Sequence, residues 1–275
     1  MDLPGLITSA EKKYKKRLEE YFTDLFRSTN LISHGIDHHR RVWSYAKELL
    51  SQSDKINSIA DNSLCDKLII ACYLHDAGMS VDPGPRHGQQ SRLLCEQFLR
   101  KYNLTENVFI DVLDAIENHD NKKYSASDQP GEMMTILSVA DDLDAFGFIG
   151  IFRYLEIYLT RGIDLKDIGH LIIDNVSGRY MNFVKIAGSD ELFIEKHRVR
   201  YDTVYSFFKN YNNQLADYQF NIHNPAGFCG VAEIIQHMIR QNLIQTSLFS
   251  FVKKYQDDAI IRRYFIELRN ELTPS

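Results

Sequence analysis

The chain has 275 residues, 44% of them apolar and 25% charged, with a formal net charge of −5. That is enough chain for one large core, or for a core with an appended lobe, and the acidic balance excludes a global attraction to nucleic acid or anionic lipid. No run approaches the roughly eighteen consecutive apolar residues of a membrane helix, the N-terminus lacks the basic-then-apolar order of a signal peptide, and Cys65, Cys72, Cys95 and Cys229 form no CxxC pair. The expectation is a cytoplasmic protein with reduced thiols.

Apolar residues recur at three-and-four spacing from end to end while strict alternation is scarce, which predicts an all-α fold. In chain order the pattern predicts helices near 9–27, 38–52, 64–76, 89–101, 105–118, 130–146 and 148–160, then 190–219, 228–242 and 244–270. The first carries the basic run EKKYKKR, whose alternation with Tyr14, Leu18, Phe22 and Leu25 marks the solvated face of an amphipathic helix. Residues 161–188 hold either a short helix or an extended segment. Breaker-rich loops lie at GMSVDPGPRHG, DNKKYSASDQPG and NIHNPAGFCG. A soft boundary near residues 187–190 divides a helical domain, 1–187, from a C-terminal helical extension or cap, 188–275. In that second part Val204, Phe207, Phe208, Tyr211, Leu215 and Tyr218 share one helical spacing and are expected to form core or an oligomer interface.

The residues that carry chemistry gather in the first half. ACYLHDAGMS ends an apolar run in His75-Asp76. A buried histidine and carboxylate side by side need compensating partners, since an uncompensated buried charge costs several kcal/mol on the order-of-magnitude scale of desolvation. His34, Asp37, His38 and His39 stand at a helix start in SHGIDHHRRVW, His87 follows the Pro-Gly-Pro loop, His119 stands where a helix runs out, and Asp141, Asp142 and Asp144 lie in LSVADDLDAFG. Imidazole with carboxylate suits a divalent ion, and the absence of cysteine from this set argues against a structural zinc site. Successive helix residues point about a hundred degrees apart, so His75 can face one ion while Asp76 reaches a second or bridges both.

The order His38, His75-Asp76, Asp141, in the contexts HHRRV, LHDAG and VADDLDA, resembles the H…HD…D signature of the HD-domain metal-dependent phosphohydrolase superfamily over roughly residues 30–160. The resemblance implies an HD-like helical bundle with an additional C-terminal helical region. It implies His38, His75, Asp76 and Asp141 as metal ligands, with His87 and His119 completing a second position. The expected cofactor is one or two divalent ions from among manganese, iron, cobalt, nickel, zinc and magnesium. Gly78 is followed by Met79 and the chain has no Gly-Tyr-Pro, which sets it apart from the cyclic-dinucleotide-cleaving branch.

The implied activity is metal-dependent hydrolysis of a phosphomonoester, nucleotide or phosphodiester, with a small phosphorylated substrate as partner and a homo-oligomer as one outcome for the aromatic helix. The alternative is a non-catalytic metal-containing module that reads a nucleotide or phospho-ligand without turnover. Catalytic candidates are Asp76, His119, Arg86 and His34, the last as a proton donor alongside His119. Arg41, Lys122 and Lys123 are further cations for a phosphoryl group. Each has a plainer reading: Arg41 pairs with Asp37, Lys122 and Lys123 form a solvated turn, His119 caps its helix, His87 faces water, and Asp142 and Asp144 support the ligands or lie exposed. His34 and His39, near a helix start, both have exposure as their plainer reading, with His34 the better pocket candidate. His170, His197, His223 and His237 are expected to be structural or surface groups.

Overall fold

The computed structural model describes residues 2–29, 31–52, 63–121, 132–221, 224–243, 245–255 and 257–272. Among these, every regular element is a helix, as the periodicity predicts. The first, α1 (Leu3–Ala10), starts earlier than its apolar spacing indicates because local chemistry sets its end: Asp2 Oδ1 accepts the Gly5 N–H at 3.1 Å and Pro4 occupies the first turn, where no N–H is needed. A π turn over Glu11–Lys15 carries it into α2 (Lys16–Leu25). Tyr14, Leu18 and Phe22 are buried while Lys12, Lys13, Lys15, Lys16 and Arg17 are exposed, so the basic run is a solvated face.

Then follow α3 (Ile36–Gln52), α4 (Leu64–Leu74), α5 (His87–Lys101), α6 (Ile110–Asn118) and α7 (Met133–Asp144). By its contacts the chain forms two compact units, the first made of Met1–Thr29, His34–Asp144 and Asn182–Asp190. Inside this unit α3 packs on α4 and α7, α6 on α4 and α7, and α5 on α6. Every side chain of α4 from Leu68 to Leu74 is fully buried. That accounts for its unbroken apolar sequence, since a helix surrounded by other helices has no face for a polar stripe.

The second unit comprises Asn30–Ser33, Ala145–Met181 and Glu191–Ser275. Its helices are α8 (Gly147–Thr160), α9 (Leu165–Ala187, which runs on into residues of the first unit), α10 (Glu191–Leu215), α11 (Gly227–Arg240), α12 (Gln245–Phe251) and α13 (Ala259–Leu272). The apolar α8 packs against α10, α11 and α13. Its N-terminus is closed by Glu271, whose two carboxylate oxygens accept the N–H groups of Phe148 and Ile149 at 3.0 and 2.8 Å. Gly147, at φ 78°, makes that approach possible: a Cβ there would stand 2.6 Å from Glu271 Oε1.

The undecided stretch 161–188 is α9. Ile168, Ile172 and Val176 lie fully buried at four-residue spacing, so burial of one face decides for helix where the β-branched residues left the choice open. The helix predicted over 244–270 is interrupted. Asp258 starts α13 afresh, accepting the Ile260 and Ile261 N–H groups at 2.9 Å through Oδ1 and the Gly227 N–H at 3.0 Å through Oδ2. Val204, Phe207, Phe208 and Tyr211 are buried as core. All four cysteines are free and buried, and no described helix is long and apolar enough to cross a membrane.

Candidate metal centre

The first unit brings together six of the residues singled out in the sequence. His38 lies in the first turn of α3, His75 is the C-cap of α4 with Asp76 next to it, His87 opens α5, His119 is the C-cap of α6, and Asp141 lies in the last turn of α7. All six are buried. Two glycines permit the approach. A Cβ on Gly78 would stand 2.1 Å from the His87 carbonyl oxygen, and one on Gly88 would stand 2.4 Å from the Glu117 carbonyl oxygen. Without side chains at these positions the start of α5 comes up against both the turn after Asp76 and the end of α6, which places His87 beside Asp76 and His119.

Two groups of donors share Asp76. His38, His75, Asp76 and Asp141 form one and Asp76, His87 and His119 the other, with the donor atoms of each group within 4.8 Å of one another. In the inner group Asp76 Oδ2 lies 3.4 Å from Nε2 of both His38 and His75, and Asp141 Oδ1 lies 3.8 Å from the same two nitrogens. In the outer group Asp76 Oδ1 lies 3.1 Å from His119 Nε2 and 3.5 Å from His87 Nε2. One carboxylate therefore faces imidazoles on two sides.

The proton inventory of these histidines fits a cation. His75, His87 and His119 each place Nδ1 against the carbonyl oxygen three residues earlier, Cys72, Gly84 and Ile116, at 3.0, 2.9 and 2.7 Å. A carbonyl only accepts, so Nδ1 carries a proton and Nε2 is the ring nitrogen turned toward the carboxylates, a lone pair whenever the ring is neutral. His38 places Nδ1 2.7 Å from Asp144 Oδ2, with the same consequence. Four Nε2 atoms are thus aimed at carboxylate oxygens, and the His38 and His75 Nε2 atoms lie only 3.2 Å apart. Imidazole nitrogens facing carboxylates in a buried site call for positive charge, supplied by protons on the rings or by a cation. The field of the site has the same sign: burial disfavours the charged form of His75, yet Asp76 and Asp141 outweigh it and push that imidazole up to about 10. Burial likewise opposes ionisation of Asp76, but His75, His119 and His38 hold its carboxyl well below the usual range. The donor set, nitrogen and oxygen without sulfur, fits a borderline divalent ion in each group.

Behind the donors stands a group whose role the sequence left open. Asp144 is fully buried; besides His38 it accepts from Arg41, Nε to Oδ1 at 2.7 Å and Nη2 to Oδ2 at 3.0 Å. Arg41 therefore does not pair with Asp37, whose carboxylate takes Arg40 at 3.0 Å. The carboxylate, imidazole, cation sequence is how proteins orient metal-binding histidines, and the signal was present in the i, i+3 spacing of Asp141 and Asp144 on one helix.

The other candidates divide. His34 is buried with Nε2 3.9 Å from Asp76 Oδ2, at the edge of the inner group. Arg86 is not brought in: its side chain is 74% exposed and pairs with Asp82 at 3.3 Å. Lys122 and Lys123 lie outside the described residues, as does His223. His39, expected near the surface, is fully buried because the first turn of α3 is covered by α4 and by Phe22, whose ring centroid lies 4.2 Å from its own. Asp120, which the sequence did not single out, places Oδ2 3.9 Å from His87 Nε2 and is half-exposed on the outer side. Of the remaining histidines, His197 is buried and its Nδ1 lies 3.2 Å from Arg200, whereas His237 is exposed.

Residues 18–145 match the family model HD-CE, a span that holds all six donors. No curated protein matches the chain. Among solved structures, the crystal structure of a Lactobacillus plantarum protein, a Northeast Structural Genomics target, is similar, with a TM-score of 0.53 and 18% identity over 73% of this chain and 96% of that one. At that identity the likeness concerns the fold alone. The all-helical fold, the HD-CE match and the buried cluster are together compatible with a metal-binding HD-type domain.

Proposed function

We propose that this protein is a metal-dependent phosphohydrolase with two divalent ions, acting on a phosphomonoester, nucleotide or related phosphodiester. The observation that carries the reading is the double use of Asp76, whose two oxygens face separate groups of imidazoles. Such a pair of adjacent sites suits in-line displacement at phosphorus, in which attacking and leaving oxygens both need charge stabilisation. Ions bound there would supply a water acidified for attack and would offset the charge of the phosphoryl oxygens.

The chain's own residues do the rest. Asp144 and three backbone carbonyls hold the Nδ1 protons, so that each ligand keeps its Nε2 lone pair directed inward. His34, beside Asp76 Oδ2, is placed to give a proton to a leaving oxygen. Asp120, half-exposed next to His87, is placed to take one from a molecule on the solvent side. His119 is committed through both ring nitrogens, to Ile116 and Asp76, which favours its use as a ligand over proton transfer.

The test is a screen of phosphorylated compounds with manganese, run on the wild type and on Asp76→Ala. Turnover by the wild type, lost with bound metal in the variant, is the expected result. A variant that keeps both metal and turnover would refute the reading, and a wild type that binds metal but hydrolyses none of the compounds would point to the binding-module alternative.

A further inference from the structure

His39 is an expensive residue to bury. It is fully inaccessible, and among the described residues its Nε2 has no hydrogen-bond partner. A neutral imidazole with one orphaned ring nitrogen is worse for stability than a phenyl ring of similar shape, because the nitrogen loses its water and gains nothing. The pocket does not demand a polar group: one wall is the Phe22 ring, with centroids 4.2 Å apart.

What His39 does have is a single directed hydrogen bond. Its Nδ1 lies 3.1 Å from the Cys72 carbonyl oxygen, the same atom that accepts His75 Nδ1 at 3.0 Å. Cys72 stands in the last turn of α4, where carbonyls lack a following helical N–H and are free to tilt. Two imidazoles donating to one oxygen from different helices fix the direction of that carbonyl. We propose that His39 is a positioning residue of the metal centre: by sharing the Cys72 carbonyl with His75 it holds the His75 ring in the orientation that presents Nε2 to the ion. The inference rests on the reading of the cluster as a metal centre. His39 also stands with His38 and His75 in a further group of candidate donors, and the proposal assigns it to orienting His75 through its Nδ1 rather than to binding an ion.

The atom used makes the test specific. Asn can place an amide N–H near the position of Nδ1, whereas Gln reaches the position of Nε2. His39→Phe, His39→Asn and His39→Gln are compared with the wild type in two measurements: divalent-ion affinity by competition with a chelator, using manganese and zinc, and melting temperature of the metal-free protein. The expected result is that Phe weakens affinity roughly tenfold or more, as loss of a supporting hydrogen bond behind a ligand does, while the metal-free protein melts no lower than the wild type. Asn is expected to recover more of the affinity than Gln. Affinity of the Phe variant within twofold of the wild type overturns the inference, as does equal behaviour of Asn and Gln. Should the Phe variant fail to fold, the Asn and Gln pair decides alone. A wild type that binds neither ion overturns the metal centre itself, and this inference with it, which is distinguishable from a wild type that binds and a Phe variant that binds equally well.

Discussion

Asp144 accepts the Nδ1–H of His38 at 2.7 Å while Arg41 clamps the same carboxylate through two guanidinium nitrogens. Asp144 sets the tautomer of His38, and Arg41 pairs with the same carboxylate; the Asp144 charge outweighs the burial of Arg41 and raises the guanidinium above its usual value. Asp144→Asn keeps an acceptor for His38 but leaves the buried side of Arg41 without its charge. The expected outcome is a loss of about 3 kcal/mol in urea unfolding, the scale for removing one partner of a buried ion pair, together with a ten- to hundredfold loss of ion affinity at roughly the level seen for supporting groups. Ion affinity equal to the wild type would show that His38 does not depend on this carboxylate.

The outer group gives a separable prediction. His87→Ala removes one of three outer donors but none of the inner four. Titration with manganese followed by elemental analysis is expected to show one ion retained. Asp141→Ala is expected to weaken the inner position instead, leaving the outer donors in place. If both variants lose all metal, the two positions act as one unit and the division around Asp76 is wrong.

Away from the site, Glu19 and Arg40 form a two-pronged ion pair, with both contacts at 2.9 Å. The Arg40 guanidinium holds Glu19 below the usual carboxylate range against the opposing effect of burial. A carboxylate whose folded pKa is depressed contributes stability above its unfolded value, about 4.3, and loses it as pH falls through the folded value. Partly exposed, the pair is worth on the order of 0.5 kcal/mol. Glu19→Gln is therefore expected to melt lower than the wild type at pH 7, and the gap is expected to close below about pH 4. A gap that persists unchanged in acid would assign the difference to packing.

In the second unit, Glu271 reaches from α13 to the first N–H groups of α8. Glu271→Ala leaves these donors without their acceptor, and an expected loss of about 1 to 2 kcal/mol, the scale of a helix cap, is measurable by chemical unfolding. A change within 0.3 kcal/mol, roughly the level of an ordinary surface substitution, would mean that water replaces the carboxylate there.

The helical class, the amphipathic first helix and the gathering of His38, His75, Asp76, His87, His119 and Asp141 were legible in the sequence, because helical spacing and the ordered histidines and aspartates are local or pattern-level signals. The support behind them was not. Arg41 has a carboxylate one turn back at Asp37, and the sequence offers no way to know that Asp144, far along the chain, takes it instead. His39 looked like a surface neighbour of His38 because its burial depends on how α3 meets α4 and Phe22, a tertiary fact. Arg86 stands beside His87 in sequence, yet its side chain leaves the helix start in another direction and meets Asp82. The helix over 165–187 was ambiguous for the same reason: β-branched residues permit strand or helix, and only the buried face decides.

The central claim is that Asp76 serves two ions. The most direct measurement is anomalous diffraction from crystals of manganese-loaded protein, wild type and Asp76→Ala. Two peaks in the wild type, one among His38, His75 and Asp141 and one between His87 and His119, with both lost in the variant, are the predicted result. A single peak remote from Asp76, or two peaks that survive its removal, would contradict the account.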